Sequence, residues 1–194
     1  LDELREEMHM KTRDEGQKAR DEGRGTRENI ISSSPSAPRH FVKDCMIDTD
    51  MEILIPDEYI SNITERLSLY KMLDESKTEN DLAAFEKQIK DRFGTIPTQT
   101  IELIHTIRLR WLAIQIGFEK LTLKNGKMTG YFVSNQASPY YQSETFSNVL
   151  QFVQLHPGYC KMKEGNTRLM LSFEKARTID EAIGTLKKIT QRDL

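Results

Sequence analysis

Four histidines, two cysteines and a set of carboxylates are the groups with which this 194-residue chain could do covalent or metal chemistry. His9, His40, His105 and His156 are each isolated in sequence. No His-x-x-x-His, CxxC or EF-hand pattern exists to bring ligands to one helix face or loop, so no metal site is predicted. Cys45 and Cys160 stand far apart, with neither metal nor redox spacing. There is no lysine-bearing phosphate loop, no GxGxxG and no GxSxG elbow. Asp57, Glu58, Glu79, Asp81, Asp180 and Glu181 fall at predicted helix starts, where the helix dipole and capping account for acids without catalysis. His105 lies inside a predicted helix and reads as a core or boundary histidine. The reading is therefore of a chain with no catalytic residues, no cofactor and no metal.

Recognition of nucleic acid is the other chemistry the residue types permit. Tyr131, Phe132, Tyr140 and Tyr141 could stack on bases, and Lys120, Lys124, Lys127, Lys161, Lys163 and Arg168 lie on or near predicted strands. Two facts weigh against it. Phe132 belongs to the buried side of its strand, and lysines on exposed strand positions commonly protect sheet edges. The net charge of −2 and pI of about 6.2 supply no bulk positive field. No apolar run approaches the ~20 residues of a membrane span, and sparse cysteine usage fits a reducing cytoplasm.

The elements that would position these groups begin near Phe41. Residues 1–42 carry mixed charges, three glycines in TRDEGQKARDEGRG and then SSSPSAPR, a composition that predicts a largely flexible linker. The opening LDELREE starts without Met and reads as the end of a preceding helix. Mean hydropathy of −0.59 is polar for a compact domain, as such a linker would make it. Residues 43–194 form the predicted domain. DTDMEILI, Asp48 to Ile55, predicts a strand ending before Pro56. Asp57 is placed as the cap of a first helix with Ile60, Ile63, Leu67, Tyr70 and Leu73 on its apolar face. Thr78 with Asp81 forms a capping box for a second helix, whose stripe is Leu82, Phe85, Ile89 and Phe93 and whose stop is Gly94. A third runs from Pro97 to Gly117 with apolar residues around most of its circumference, so it should be central.

Asn125-Gly126 is the clearest turn, a two-residue type I′ hairpin pairing Lys124 with Lys127, Leu123 with Met128 and Glu119 with Phe132. Ser143 caps a further helix with Phe146, Val149, Leu150 and Val153 inward. Strands over 159–163 and 167–173 flank Glu164-Gly165-Asn166. Thr178 and Glu181 open a last helix through a full capping box, with Ile179, Ile183, Leu186 and Ile189 inward. The predicted fold is α+β: a mostly antiparallel sheet of two hairpins plus an N-terminal strand, covered by about five helices.

The stretch ERLSLYKMLDESKTENDLAAFEKQIKDRFGTIPTQTIEL, followed by RLRWLAIQIGFEKL, resembles the C-terminal TRCF domain of the bacterial transcription-repair coupling factors. The likeness runs over roughly residues 43–190, with DRFG-x-x-P as its most specific junction. The resemblance implies a non-catalytic regulatory domain of an ATP-dependent, helicase-like DNA translocase that couples transcription to nucleotide excision repair. Residues 1–7 would then close the motor, and the polar segment would connect it to the domain. It further implies an autoinhibitory latch that docks on a UvrB-like N-terminal module of the parent chain and masks its UvrA-binding surface. RNA polymerase and DNA would be partners of the parent rather than of this segment. In relatives the latch uses acids on the helix that ends in DRFG. Asp91 keeps that character, whereas the position one turn earlier is Gln88. Glu86, Lys87, Lys90 and Asp91 are the candidate interface, and a nucleic-acid-binding accessory role in the same translocase is the alternative.

Overall fold

In the computed structural model, which describes residues 41–165 and 167–191, the chain reverses at Asn125-Gly126 with φ of 53° and 70°. Asparagine and glycine tolerate positive φ, and a type I′ turn needs it twice, so this dipeptide sets the register of the central hairpin. Strands β2 (Phe118–Lys124) and β3 (Lys127–Phe132) pair Lys124 with Lys127 and Leu123 with Met128, as the turn predicts. The prediction for Glu119 is corrected. The register shifts between Phe118 and Lys120, so Phe118 faces Phe132 and Glu119 sits in the irregularity. From there its carboxylate accepts the Ser134 N–H at 3.1 Å and pairs with Arg168. The bulge keeps Phe118 inside, where its ring fills the space beside Gly130.

Around this hairpin stands a five-stranded sheet of order β1-β2-β3-β5-β4, antiparallel except for the β1–β2 pair. The remaining strands are β1 (Met46–Thr49), β4 (Cys160–Glu164) and β5 (Leu169–Phe173). The first strand is shorter and earlier than the run Asp48 to Ile55 predicts. Thr49 Oγ1 accepts the Met51 N–H at 3.1 Å and Asp50 accepts the Asn125 N–H at 2.9 Å, which turns the chain out of the ladder. Farther on, side chains replace strand partners: Tyr70 Oη accepts the Ile55 N–H and Thr100 Oγ1 donates to the Leu54 carbonyl. The apolar tail of DTDMEILI is thus partly core without being strand, with Ile55 buried.

Helix α1 spans Ile63–Glu75 and is capped by Asn62, whose side chain accepts the Glu65 N–H. Asp57 is not its cap, because Pro56 to Ile60 form a separate turn. Starting the helix five residues later, after Asn62 instead of Asp57, changes which stripe points inward. Leu69 and Leu73 are buried, while Ile63 and Leu67 are 63% and 62% exposed. Helix α2 (Glu79–Phe93) carries the predicted capping box and buries Leu82, Phe85 and Ile89; Phe93 is half-buried, edge-on to Tyr59. Gly94 ends it at φ 85°, ψ −148°, a region open to glycine.

Helix α3 (Thr98–Ile116) is shared between two cores. Its Ile104 and Ile107 pack with α1 and α2, and its Leu109, Ala113 and Ile116 pack with the sheet. Helices α4 (Glu144–Leu155) and α5 (Ile179–Thr190) complete the cover of that sheet face. Ser143 caps α4 as predicted, and of the predicted inward residues Val149 is buried and Phe146 and Val153 are half-buried against the sheet core; Leu150 is 37% exposed, and Phe152 is buried in its stead. In α5 Ile179, Ile183, Leu186 and Ile189 are buried, and Thr178 caps Glu181 N–H. The return bond from the Glu181 carboxylate goes to the Arg177 N–H, one residue before the cap. Phe41 and Val42 already pack against the sheet core. The predicted helix end and linker over residues 1–40, and Asn166 of the last turn, lie outside the described residues.

Candidate functional site

The α2 helix is held on three sides, which decides what its fourth side can do. At its start Thr78 Oγ1 accepts the Asp81 N–H, and the Asp81 carboxylate accepts the Thr78 and Lys77 N–H groups at 2.9 Å each. Leu82, Phe85 and Ile89 fix its inner stripe, all at most 1% exposed. Toward α3, Arg108 reaches Glu79 at 2.9 Å and Glu86 at 3.3 Å. Toward α1, Arg92 pairs with Glu65 and lies over the Phe93 ring at 4.9 Å. The Tyr59 hydroxyl donates to the Gly94 and Ile89 carbonyls at the helix end.

The four predicted interface residues separate within this frame. Glu86 is half-buried and committed to Arg108, so it belongs to the brace between α2 and α3. Lys87, Lys90 and Asp91 are exposed, and among the described residues none of their side chains has an ion-pair partner. In particular Arg92, the adjacent base that could neutralise Asp91, is turned to Glu65 instead. Gln88 is half-buried and lines a groove of about 370 Å³ between α1 and α2, together with Ser68, Met72 and Arg92. Sequence reading missed this groove and the Glu65–Arg92 bridge across it. A separation of 27 residues leaves no local signal for such a pair.

The capping box also gives the site a pH dependence. Backbone N–H groups of Lys77 and Thr78 and the Thr78 hydroxyl hold the Asp81 carboxyl below its usual range, the Lys77 bond contributing most. A carboxyl depressed in the folded state contributes stability above its unfolded pKa, and that contribution is lost as pH falls through the folded value. Urea midpoints followed downward from about pH 5 should drop less steeply for Asp81→Asn than for the parent. Parallel acid limbs for the two proteins would remove Asp81 from the account.

The other titratable groups are built into the packing. Burial, reinforced by the neighbouring Asp44 charge, pushes the Cys45 thiol up to about 12, and burial raises Cys160 as well. Both are protonated at neutral pH and are poor nucleophiles. His156 Nδ1 lies 3.0 Å from the Phe152 carbonyl and its ring stacks on Phe152, at the end of α4. His105 Nδ1 is 2.8 Å from Asp180 Oδ1, without hydrogen-bond alignment. Among the described residues no group of three or more His, Cys, Asp and Glu could hold a metal ion. No helix among them is long and apolar enough to cross a membrane. The outer α2 edge bears charges of both signs that have no ion-pair partner among the described residues, beside a shallow groove.

Known proteins resemble this chain in sequence and in fold. The family profile described as the TRCF domain matches residues 49–143, a span that contains α1, α2, α3 and the central hairpin. The transcription-repair-coupling factor of Escherichia coli (strain K12) is 30% identical over 124 residues, covering 63% of this chain and 10% of the relative. That of Rickettsia conorii is 23% identical over 139 residues, covering 72% and 11%. The chain thus spans about a tenth of the length of these curated relatives. The fold matches the crystal structure of the C-terminal domain of transcription-repair coupling factor. The TM-score is 0.61 at 14% identity, over 78% of this chain and 96% of that one. Sequence profile, relatives and fold agree that the chain belongs to the TRCF domain family, the C-terminal domain of transcription-repair-coupling factors.

Proposed function

We propose that this domain is a non-catalytic regulatory latch of a cytoplasmic, ATP-dependent DNA translocase that couples transcription to nucleotide excision repair. Its outer α2 edge docks on the UvrB-like N-terminal module of the parent chain and masks the surface that recruits UvrA. Engagement of RNA polymerase and DNA by the parent then favours the undocked state. The observation that carries the reading is the uncommitted charge of Asp91, with Lys87 and Lys90, on a helix braced everywhere else. Exposed charge pairs contribute only about 0–1 kcal/mol each, so an interface built from a few of them orients its partner and still releases. Release also requires that ligands bind the docked and undocked states unequally.

Binding of this chain to the separately expressed UvrB-like module tests the proposal. Asp91→Lys should weaken that binding about 10-fold, since reversing a rim charge replaces attraction by repulsion. Its own thermal stability should change by no more than about 0.5 kcal/mol, as is usual for an exposed position. In the full-length parent the same substitution should raise UvrA recovery in a pull-down. Unchanged module affinity and unchanged UvrA recovery together would refute the role of Asp91.

A further inference from the structure

The sheet has two unlike faces. One is sealed by α3, α4 and α5. On the other, the strand register sets Lys120, Tyr131, Met170 and Lys163 side by side across β2, β3, β5 and β4. The next row holds Thr122, Thr129, Ser172 and Lys161. All eight are half-buried or exposed, so no helix of the described domain closes over them. Lys120 Nζ stands 5.9 Å from the centre of the Tyr131 ring, and the Thr129 and Ser172 hydroxyls approach to 3.4 Å.

The charges on this face are unbalanced. Asp48 of β1 answers Lys120 at 3.6 Å and Lys124 at 2.6 Å. Lys161 and Lys163 on the edge strand are exposed and, among the described residues, have no ion-pair partner. As alternate residues of β4 they project on the same side, about 6.7 Å apart along the strand, a step comparable to one extended nucleotide. Tyr131 lies two strands away, about 10 Å, a gap that a lysine side chain and a nucleotide can bridge together. The remaining chemistry is a row of hydroxyls and one flat ring. A protein interface centres on large apolar and aromatic anchors excluded from water, whereas this face has one tyrosine and two methionines, Met170 in mid-sheet and the exposed Met46 at the β1 edge, among polar neighbours. Repeated negative charge, oxygen acceptors and an unpaired ring are what it complements.

We propose that the open face of the sheet binds single-stranded nucleic acid, with a base stacked on Tyr131 and backbone phosphates on Lys161 and Lys163. The other aromatic residues singled out in the sequence take no part. Phe132 and Tyr140 are fully buried, and the Tyr141 hydroxyl is bonded to the Val133 carbonyl. The surface shares no residue with the α2 edge, so binding here and latching there are separable.

Fluorescence anisotropy of a labelled oligothymidylate with the whole chain, over a salt series, tests the proposal. Saturable binding at low salt is expected, and an unlabelled duplex or poly-glutamate should compete poorly. Each phosphate contact to a single strand contributes about 0.7 to the slope of log affinity against log salt, so Lys161→Ala with Lys163→Ala should lower that slope by about 1.4. Tyr131→Ala should weaken binding at least about 5-fold, and Tyr131→Phe should leave it near the parent value. All these positions are at the surface, and a thermal melt of each variant verifies that it is folded. No saturable binding, or binding indifferent to these three side chains, overturns the proposal. Equal or better competition by duplex or poly-glutamate also overturns it, in favour of general anion attraction or an acidic protein partner.

Discussion

Gly117→Ala is expected to lower the stability of this domain by about 2–5 kcal/mol, the sum of a left-handed backbone penalty and overpacking. The residue ends α3 at φ 99°, ψ 27°, and its N–H closes the helix by donating to the Ala113 and Ile114 carbonyls. A Cβ there would stand 2.2 Å from Cε2 and 2.4 Å from Cζ of Tyr140. Tyr140 has nowhere to go. It is fully buried, its hydroxyl donates to the Ile116 carbonyl at 2.6 Å, and its ring packs against Phe41, Phe132, Tyr141 and Phe146. Gly184→Ala makes the contrast. That glycine is in helix α5 with nothing within 4 Å of an added Cβ, so the substitution should gain about 0.5–1 kcal/mol of helix propensity. Urea unfolding of the two variants measures both signs. A Gly117→Ala midpoint equal to the parent's would show that the Tyr140 pocket yields freely.

The second large effect is expected at Phe85. Its ring is 1% exposed in the cluster formed by Leu82, Ile89, Ile104 and Ile107, so Phe85→Ala should cost about 3–5 kcal/mol. This residue mounts the α2 edge without touching its outer surface. Loss of affinity for the UvrB-like module should therefore follow the folded fraction, recovering on cooling or with a stabilising osmolyte. Asp91→Lys should show the opposite pattern, with weakened binding and an intact melt. Measuring both quantities for both variants separates a residue that supports the interface from one that forms it. If Phe85→Ala melts like the parent, α2 is not anchored as the packing indicates.

Features governed by neighbours in sequence were legible before the structure. The Asn125-Gly126 hairpin, the Thr78–Asp81 box, the Gly117 stop and the inward stripe of α5 each depend on residues within one or two turns. The misreadings arise where distant groups intervene. The strand at Asp48 ends early because Asp50 and Thr49 capture N–H groups, one of them 75 residues away. Ile63 and Leu67 look core-facing only if the helix is counted from Ile60; the Asn62 cap rotates them outward. Glu119 yields its place opposite Phe132 to Phe118, whose ring fills the space beside Gly130. For the candidate interface, sequence supplied the helix and its charges. It could not divide Glu86 from Asp91, because that division depends on where Arg108 and Arg92 find their partners.

Helix α3 has a mechanical consequence. Its 19 residues make a rod of about 28 Å, with neither proline nor glycine between Thr98 and Ile116 to bend it. One end is clamped by α1 and α2 and the other by the sheet. A pull applied at the outer edge of α2 travels along this rod without crossing a hinge. The load is carried as shear across two packed cores, while a rim of isolated charges yields one pair at a time. A domain docked by its α2 edge as proposed would, under tension, come away from its partner as a stiff body before it begins to unravel.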